Sequence, residues 1–242
     1  MSPLYDIVIP VGPNDLDLII KVVYCVKQNV QGYRNIYIIP YDPNIYIDGC
    51  ITVPEHVFPF NIHTLGELID FSERTPWYFQ QLLKLYAGFY VPDILPYYLV
   101  IDSDTFFINP TTFFEDETPL YNIGKFNYSP YYEHMIRLHP SLIKYNEYSG
   151  VSHHMIFHRD LVRQLFDIVE EYTGDIFWRS FMKCLDPEHI NSSGASEYEI
   201  YFNYLLNHHN DKMKIRQLNW EDVYQLFYHP DLNYISWHHY KR

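Results

Sequence analysis

Basic residues are scarce in this chain of 242 residues, in which 17 lysines and arginines face 30 aspartates and glutamates. The formal net charge of −13 argues against nucleic acid as a partner, because proteins grip phosphate backbones with basic surfaces. If the ligand is a nucleotide, a cation has to stand between its phosphates and this acidic protein.

Cysteine is also rare, and Cys25, Cys50 and Cys184 show neither CxxC nor CxxH spacing. This argues against a disulfide framework or a zinc knuckle and favours free, buried thiols in a reducing compartment. No window of 18 residues is apolar and uncharged, so we expect no membrane span. Residues 1–6 lack the basic and apolar regions of a signal peptide. The sequence therefore predicts a cytoplasmic protein.

Two nucleotide-binding signatures are missing as well. The chain contains neither GxxxxGK[ST] nor GxGxxG, so it predicts neither a P-loop nor a dinucleotide-binding fingerprint. Apolar and aromatic residues, in contrast, are abundant, with 48% hydrophobic residues and 25 tyrosines. Because this composition supports a substantial core and the chain has no internal repeat or linker, we expect a single domain over residues 1–242.

A strand–helix–strand pattern opens the chain and predicts an α/β fold. Residues 6–11 form a short apolar run, and residues 35–39 form a second one. Between them, apolar residues from 16 to 30 recur at helical spacing after a cap at Asn14 or Asp15. This order is typical of parallel strands, so we expect a Rossmann-like, mostly parallel central sheet flanked by helices.

A later strand ends in two carboxylates. Residues 97–101 predict a buried strand, which Asp102, Ser103 and Asp104 follow directly. In an extended chain, residues i and i+2 point to the same side, so Asp102 and Asp104 converge where the chain leaves the sheet. Open α/β sheets bind ligands at that edge, and carboxylate oxygens suit divalent cations. The alternative is a solvated turn with a capping aspartate.

A helix is predicted just before this strand, over residues 75–90, with a Thr-Pro start. Its apolar face is expected to pack on the core and consists of Phe79, Leu82, Leu83 and Tyr86. Its other face carries Trp77, Gln80, Gln81 and Lys84. That face is either solvated or a ligand-facing stripe in which Lys84 neutralises a phosphate.

The Asp-Ser-Asp triplet after an apolar strand resembles the DxD motif of nucleotide-sugar glycosyltransferases with the GT-A fold, in particular small bacterial and viral members. Other landmarks of that family occur in their usual order over nearly the whole chain. Pro10-Val11-Gly12 resembles the first-strand nucleotide loop, and Ser149-Gly150-Val151 resembles the glycine loop beside the donor sugar. The resemblance implies a GT-A-like domain with a nucleotide-binding half, 1–110, and an acceptor and catalytic half, 111–242.

The resemblance also implies roles for individual residues. A divalent cation, Mn²⁺ or Mg²⁺, would be held by Asp102, Asp104 and His238 and would bridge them to the donor diphosphate. The donor, a UDP-linked sugar, would contact residues from both halves, namely Pro10, Val11, Asp42, Gln81, Lys84, Ser103, Gly150, His153 and His154. Two alternatives stay open. Asp42 also fits a turn between two prolines, and the histidine pair also fits one buried and one surface residue.

Two glutamates at a predicted helix start are candidates for the catalytic base. Ser196 and Glu199 fit a capping box, in which the Glu199 side chain returns to the backbone of Ser196. This leaves Glu197 free to take a proton from the acceptor hydroxyl, and we expect it to be the catalytic residue. Its alternative role is a surface glutamate favoured by the helix dipole.

The histidines near the C-terminus, His238 and His239, alternate sides in an extended chain, so only one of them faces the cation. If Trp237 packs in the core, His238 faces the polar side. Ligation then requires the neutral imidazole.

The sequence therefore predicts a metal-dependent glycosyltransferase of the hexosyltransferase class, which transfers a sugar from a nucleotide donor to a glycan, lipid-linked or protein acceptor. The first alternative is a nucleotide-sugar-binding protein without turnover. The second is a DxD phosphohydrolase, which the sequence disfavours because that motif wants Thr or Val where this chain has Phe106. The sugar, the acceptor, the stereochemical course and the oligomeric state stay open.

Overall fold

The computed structural model of the protein describes residues 2–226 and 230–242. The strands within these ranges are β1 (Tyr5–Val11), β2 (Tyr33–Pro40), β3 (Ile51–Thr52), β4 (Tyr97–Ile101), β5 (Thr105–Phe107), β6 (Phe114–Glu115), β7 (Thr118–Asn122), β8 (His154–His158), β9 (Lys214–Arg216), β10 (Trp220–Asp222) and β11 (Tyr234–Ser236). The α-helices are α1 (Ile19–Asn29), α2 (Ile62–Gly66), α3 (Thr75–Tyr90), α4 (Ser129–Leu138), α5 (Arg159–Thr173), α6 (Phe177–Lys183) and α7 (Glu197–His208).

The central sheet has five strands in the order β3-β2-β1-β4-β8. Strands β1, β2, β3 and β4 run parallel to one another, and β8 pairs antiparallel with β4 at the edge of the sheet. Strand β1 is buried along its whole length, as expected of a strand with helices on both faces of its sheet. The predicted α/β fold with a mostly parallel central sheet flanked by helices is confirmed.

Helix α3 has the predicted bounds and is buried on both of its faces. The four apolar residues predicted to face the core are buried, as expected. Gln81 and Lys84 on the opposite face are also buried, with exposed fractions of 1% and 3%, because α7 packs over them. This excludes a solvated face for these two residues. None of the helices in the described parts of the chain is long and apolar enough to cross a membrane.

The first helix begins later than the sequence predicts. Pro13–Asp15 forms a short 3₁₀ turn, and α1 begins only at Ile19. The predicted cap fails because the Asp15 carboxylate is engaged elsewhere, by the Ser103 hydroxyl and the Arg242 guanidinium. Asp15 therefore caps no helix and instead links the segment after β1 to Ser103 and to Arg242.

A second, three-stranded sheet brings the C-terminal segment to the Asp-Ser-Asp triplet. Its order is β10-β11-β5, and β5 directly follows Asp104. Strand β11 pairs antiparallel with β5, with Ser236 opposite Thr105, and β10 runs parallel to β11. The side-chain hydroxyls of Thr105 and Ser236 lie 2.9 Å apart. This pairing fixes the residues that follow β11 beside the end of β4.

His134 on α4 makes the stability of the fold depend on pH. Its Nε2 lies 2.8 Å from the carbonyl oxygen of Phe181, and Nδ1 has no partner among the described residues. Burial lowers the pKa of His134 to about 4, from an ordinary value of 6.5. Between these values only the unfolded chain takes up the proton, so acidification across that window should cost about 3 kcal/mol of unfolding free energy.

The variant His134→Gln tests this contribution, because its amide can still donate to Phe181. We expect wild-type protein to lose more stability than the variant between pH 7 and pH 4.5, as measured by urea unfolding. Replacing the exposed His63 with glutamine should follow the wild-type curve. An equal loss in wild type and His134→Gln would contradict this account.

Candidate functional site

The candidate site lies where the strand order of the central sheet reverses. Strand β1 has β2 on one side and β4 on the other, so the carboxyl ends of β1 and β4 lie at the topological switch point of the sheet. The loops after these two strands meet there, because the Ser103 hydroxyl donates to Asp15 Oδ2 at 2.6 Å. Open α/β sheets bind their ligands at such a point.

Asp102, at the end of β4, is held by groups from three elements. Its Oδ1 accepts from Lys84 Nζ at 2.5 Å and from the Tyr198 hydroxyl at 2.8 Å, and its Oδ2 lies 3.4 Å from His153 Nδ1. Burial alone would raise the pKa of Asp102, but the Lys84 ammonium and the His153 ring lower it well below its usual range. Asp102 is therefore a fixed, ionised carboxylate.

Lys84 joins Asp102 to Glu197 inside the protein. Its Nζ lies 2.6 Å from Glu197 Oε1, and both side chains are almost fully buried. Burial works against the charged lysine, yet the two carboxylates raise the pKa of Lys84 above its usual value. Gln81, one turn earlier on α3, accepts from the Glu197 amide at 3.0 Å. These contacts fasten the start of α7 to α3.

The Glu197 side chain does not project into an open cleft, as a base reaching an acceptor would. Its residue is 3% exposed, and its carboxylate faces Lys84. Burial raises the pKa of Glu197, with the Lys84 ammonium opposing that shift. In this arrangement Glu197 is the partner of a buried cation.

Asp104 reaches the C-terminal segment through His238. The Asp104 Oδ2 lies 2.8 Å from His238 Nδ1, and the Trp237 amide donates to the Asp104 carbonyl at 2.9 Å. His239, the alternative to His238, is exposed. Of the two histidines that the sequence left open, the structure brings His238 to the triplet.

Asp222 completes a cluster with two histidines. Its Oδ1 lies 3.2 Å from His238 Nε2 and 3.2 Å from His153 Nε2. Burial opposes protonation of His238, but hydrogen bonds with Asp104 and Asp222 raise the pKa of His238 to about 10. The pKa of His153 is also raised, by Asp102 and Asp222 against the effect of burial. The surrounding carboxylates therefore favour the protonated form of both rings.

His153, Asp222 and His238 can offer one ligand atom each, and these atoms lie within 4.8 Å of one another. Imidazole nitrogens and a carboxylate oxygen are ordinary ligands of divalent metal ions. A bound cation would replace the histidine protons, because a ligating imidazole must be neutral. The chemistry of these side chains suits a divalent metal ion, and the cluster shares only His238 with the ligands that the sequence predicts.

His154, the neighbour of His153, lies on the other side of β8. Its ring packs against Tyr234, Phe107 and Phe113, and neither nitrogen has a hydrogen-bond partner within the described ranges. Burial lowers the pKa of His154 well below its usual value. His154 is therefore a core residue and not a donor contact, whereas His153 precedes β8 with a left-handed backbone.

Three of the remaining predicted donor contacts, Pro10, Val11 and Ser103, lie near the carboxyl ends of β1 and β4. Pro10 and Val11 are buried at the end of β1, and Ser103 is buried beside Asp15. Asp42 follows β2, where its carboxylate accepts from the Asn44 amide at 3.0 Å in a local turn. The turn alternative therefore explains Asp42 fully.

Gly150 is required by close packing against α7. A Cβ at this position would lie 2.6 Å from the Tyr198 carbonyl oxygen and 2.6 Å from Phe202 Cβ. We expect Gly150→Ala to lower the free energy of unfolding by about 1–3 kcal/mol, because the clash is with backbone that cannot turn away. Gly12→Ala is the matched control, since nothing lies within 4 Å of its Cβ position. Equal unfolding midpoints for the two variants in urea would contradict this role.

Glu199 does not complete the predicted capping box. Ser196 does accept from the Glu199 amide at 3.3 Å, but the Glu199 carboxylate turns inward to the Ser149 hydroxyl and to Asn203 Nδ2. The predicted hydrogen bond from the Glu199 amide to the Ser196 side chain forms. The predicted return hydrogen bond to the Glu199 carboxylate is wrong, because the buried Ser149 and Asn203 side chains donate to that carboxylate instead.

Sequence reasoning missed Asp222, Tyr198 and Asp15. The parallel pairing of β10 with β11 brings Asp222 to the site, because it places Asp222 opposite Ser236 and near His238. Tyr198 lies between the two candidate glutamates, and its hydroxyl donates to Asp102. No spacing in the sequence signals these contacts, since each depends on a long-range pairing of elements.

No protein-family model and no curated protein sequence matches this chain. The function has to be argued from the residues and geometry of the site.

Proposed function

We propose that the protein is a metal-dependent glycosyltransferase with a GT-A-like fold, which transfers a sugar from a nucleotide donor, of the UDP-sugar class, to an acceptor hydroxyl. The observation that carries the proposal is the cluster of His153, Asp222 and His238, which Asp102 and Asp104 contact at the carboxyl end of β4, beside the point where the strand order reverses. Carboxylate and imidazole ligands at this edge suit a cation that accompanies a diphosphate.

The cation, when bound, supplies positive charge that stabilises the diphosphate leaving group. Three positive side chains at the site are already paired with carboxylates: Lys84 with Asp102 and Glu197, Lys241 with Asp222, and Arg242 with Asp15. The role of Lys84 is then to keep Asp102 and Glu197 ionised and in place. The donor would lie over the carboxyl ends of β1 and β4, between the loop after Val11 and the loop at Ser103.

An acceptor would approach over residues 126–148. A bridge between Gly124 and Ser149 closes this segment beside the Gly150 loop. The segment exposes large apolar side chains, namely Phe126, Ile136, Ile143, Tyr145 and Tyr148. Aromatic rings of this kind offer flat apolar faces together with polar tips, which suits recognition of a glycan or of a glycosylated lipid or protein.

The burial of Glu197 favours a second candidate, a nucleotide-sugar-binding protein without turnover. A general base has to come within hydrogen-bond reach of the proton that it removes. The Glu197 carboxylate instead contacts Lys84 at 2.6 Å and is covered by protein. Glu197 is our candidate for the catalytic carboxylate only if the donor or acceptor draws it away from Lys84.

Both candidates predict stabilisation by a nucleotide sugar in the presence of Mn²⁺. A donor at 100 times its dissociation constant should add about 2.7 kcal/mol to the free energy of unfolding. For a chain of this size that raises the melting temperature by about 5–10 °C. The test is a thermal-shift panel of nucleotide sugars, each with Mn²⁺ and with EDTA. No Mn²⁺-dependent shift with any donor would overturn both candidates.

A further inference from the structure

We infer that His153, Asp222 and His238 form a binding site for a first-row transition-metal ion, which the protein binds without a nucleotide and in preference to Mg²⁺. Asp102 and Asp104 then orient the two histidines from behind. As a statement about the cation used in sugar transfer, this inference rests on the proposed function. The site itself is defined by side chains of the protein alone.

The two distances from Asp222 to the histidines match one coordination sphere. Asp222 Oδ1 lies 3.2 Å from the Nε2 atoms of both His153 and His238. Ligand atoms about 2.1 Å from one ion are about 3.0 Å apart at a right angle and about 3.4 Å apart at the tetrahedral angle. The Asp222 carboxylate can therefore share one ion with either histidine close to its present position, and the three ligand atoms lie within 4.8 Å of one another.

The far nitrogens of both rings face the Asp-Ser-Asp carboxylates. His238 Nδ1 lies 2.8 Å from Asp104 Oδ2, and His153 Nδ1 lies 3.4 Å from Asp102 Oδ2. Histidines that ligate metals commonly donate their second N–H to a carboxylate, which fixes the tautomer and the ring orientation. This leaves Nε2 of each ring directed at Asp222, on the side where the ion would lie.

The backbone and a neighbouring ring hold His153 in this orientation. His153 has a φ of 62°, in the left-handed region that non-glycine residues rarely adopt, and its carbonyl accepts from the Asp102 amide at 2.9 Å. Trp220, on the same strand as Asp222, packs edge-on against the ring with centroids 5.0 Å apart. The ring is therefore placed before any ligand arrives.

The choice of ion follows from the two nitrogen ligands. Mg²⁺ prefers oxygen ligands and keeps much of its water, whereas imidazole suits transition metals. Affinity at such sites rises from Mn²⁺ to Zn²⁺. We therefore expect Zn²⁺ to displace Mn²⁺, and Mg²⁺ in tenfold excess to leave bound Mn²⁺ in place.

The experiment is a titration of the full chain with Mn²⁺, without nucleotide, followed by electron paramagnetic resonance of free and bound ion. Asp222→Asn and His153→Gln should each weaken binding at least 100-fold, and Asp104→Asn should weaken it by about 10–100-fold as an orienting group. Glu221→Gln and His239→Gln are matched controls, exposed neighbours of two ligands, and should bind as wild type.

Electron spin echo envelope modulation on wild-type protein keeps the inference testable if a variant fails to fold. Two coupled imidazole nitrogens are expected on bound Mn²⁺. Absence of nitrogen coupling, wild-type affinity in Asp222→Asn, or displacement of Mn²⁺ by equimolar Mg²⁺ would overturn the inference. Mn²⁺ binding through this cluster without any effect of a nucleotide sugar would support the metal site and overturn the proposed function. Donor-dependent transfer that survives in Asp222→Asn would support the proposed function and overturn the metal site.

Discussion

Replacing Lys84 with methionine is expected to lower the free energy of unfolding by about 3–5 kcal/mol, because two buried carboxylates lose their shared cation. Lys84 Nζ lies 2.5 Å from Asp102 and 2.6 Å from Glu197, and methionine fills a similar volume without the charge. Urea unfolding followed by tryptophan fluorescence measures the loss. A change below about 1 kcal/mol would mean that the pair is solvated like a surface ion pair.

Two further variants separate charge from packing at this position. The double variant Lys84→Met with Glu197→Gln should recover part of the lost stability, since one of the uncompensated carboxylates is removed. Lys183→Met breaks an exposed ion pair with Asp175 and should cost at most about 1 kcal/mol. If the double variant is less stable than Lys84→Met alone, repulsion between the carboxylates is not the cause of the loss.

Asp104→Ala should reduce metal-dependent sugar transfer at limiting Mn²⁺ by about 10–100-fold, because His238 loses the carboxylate that orients it. The measurement is the rate of nucleotide release from a donor as a function of Mn²⁺ concentration. Glu221→Gln, an exposed acidic residue nearby, controls for the change of charge. An unchanged rate and Mn²⁺ dependence in Asp104→Ala would contradict the assignment of this edge.

The central sheet could be predicted from the sequence because its signals are local. Apolar runs at residues 6–11, 35–39 and 97–101 became β1, β2 and β4, and the predicted helix over 75–90 became α3 with the same bounds. The caps were less predictable. Asp15 and Glu199 have the residue types that cap helices, but distant donors compete for their carboxylates.

The candidate site was predictable only as far as its residues lie on one strand or helix face. Asp102 and Asp104 follow a recognisable strand, and the spacing of Gln81 and Lys84 places them on one face of α3. The sequence does not show that α7 covers this face, because the contact joins residues more than a hundred positions apart. It does not show that Asp222 lies beside His238 either, because that contact depends on the pairing of two very short strands. For His153 and His154 the sequence left two alternatives open, since the left-handed backbone of His153 before β8 has no signal in the sequence.

The most direct test of the central claim is nucleotide release from the donor that stabilises the protein best. Wild-type protein with Mn²⁺ and an acceptor should release UDP from a UDP-sugar, EDTA should abolish the release, and Asp104→Ala should slow it at limiting Mn²⁺. Stabilisation by the donor without any release of UDP would contradict sugar transfer and identify a binding protein instead.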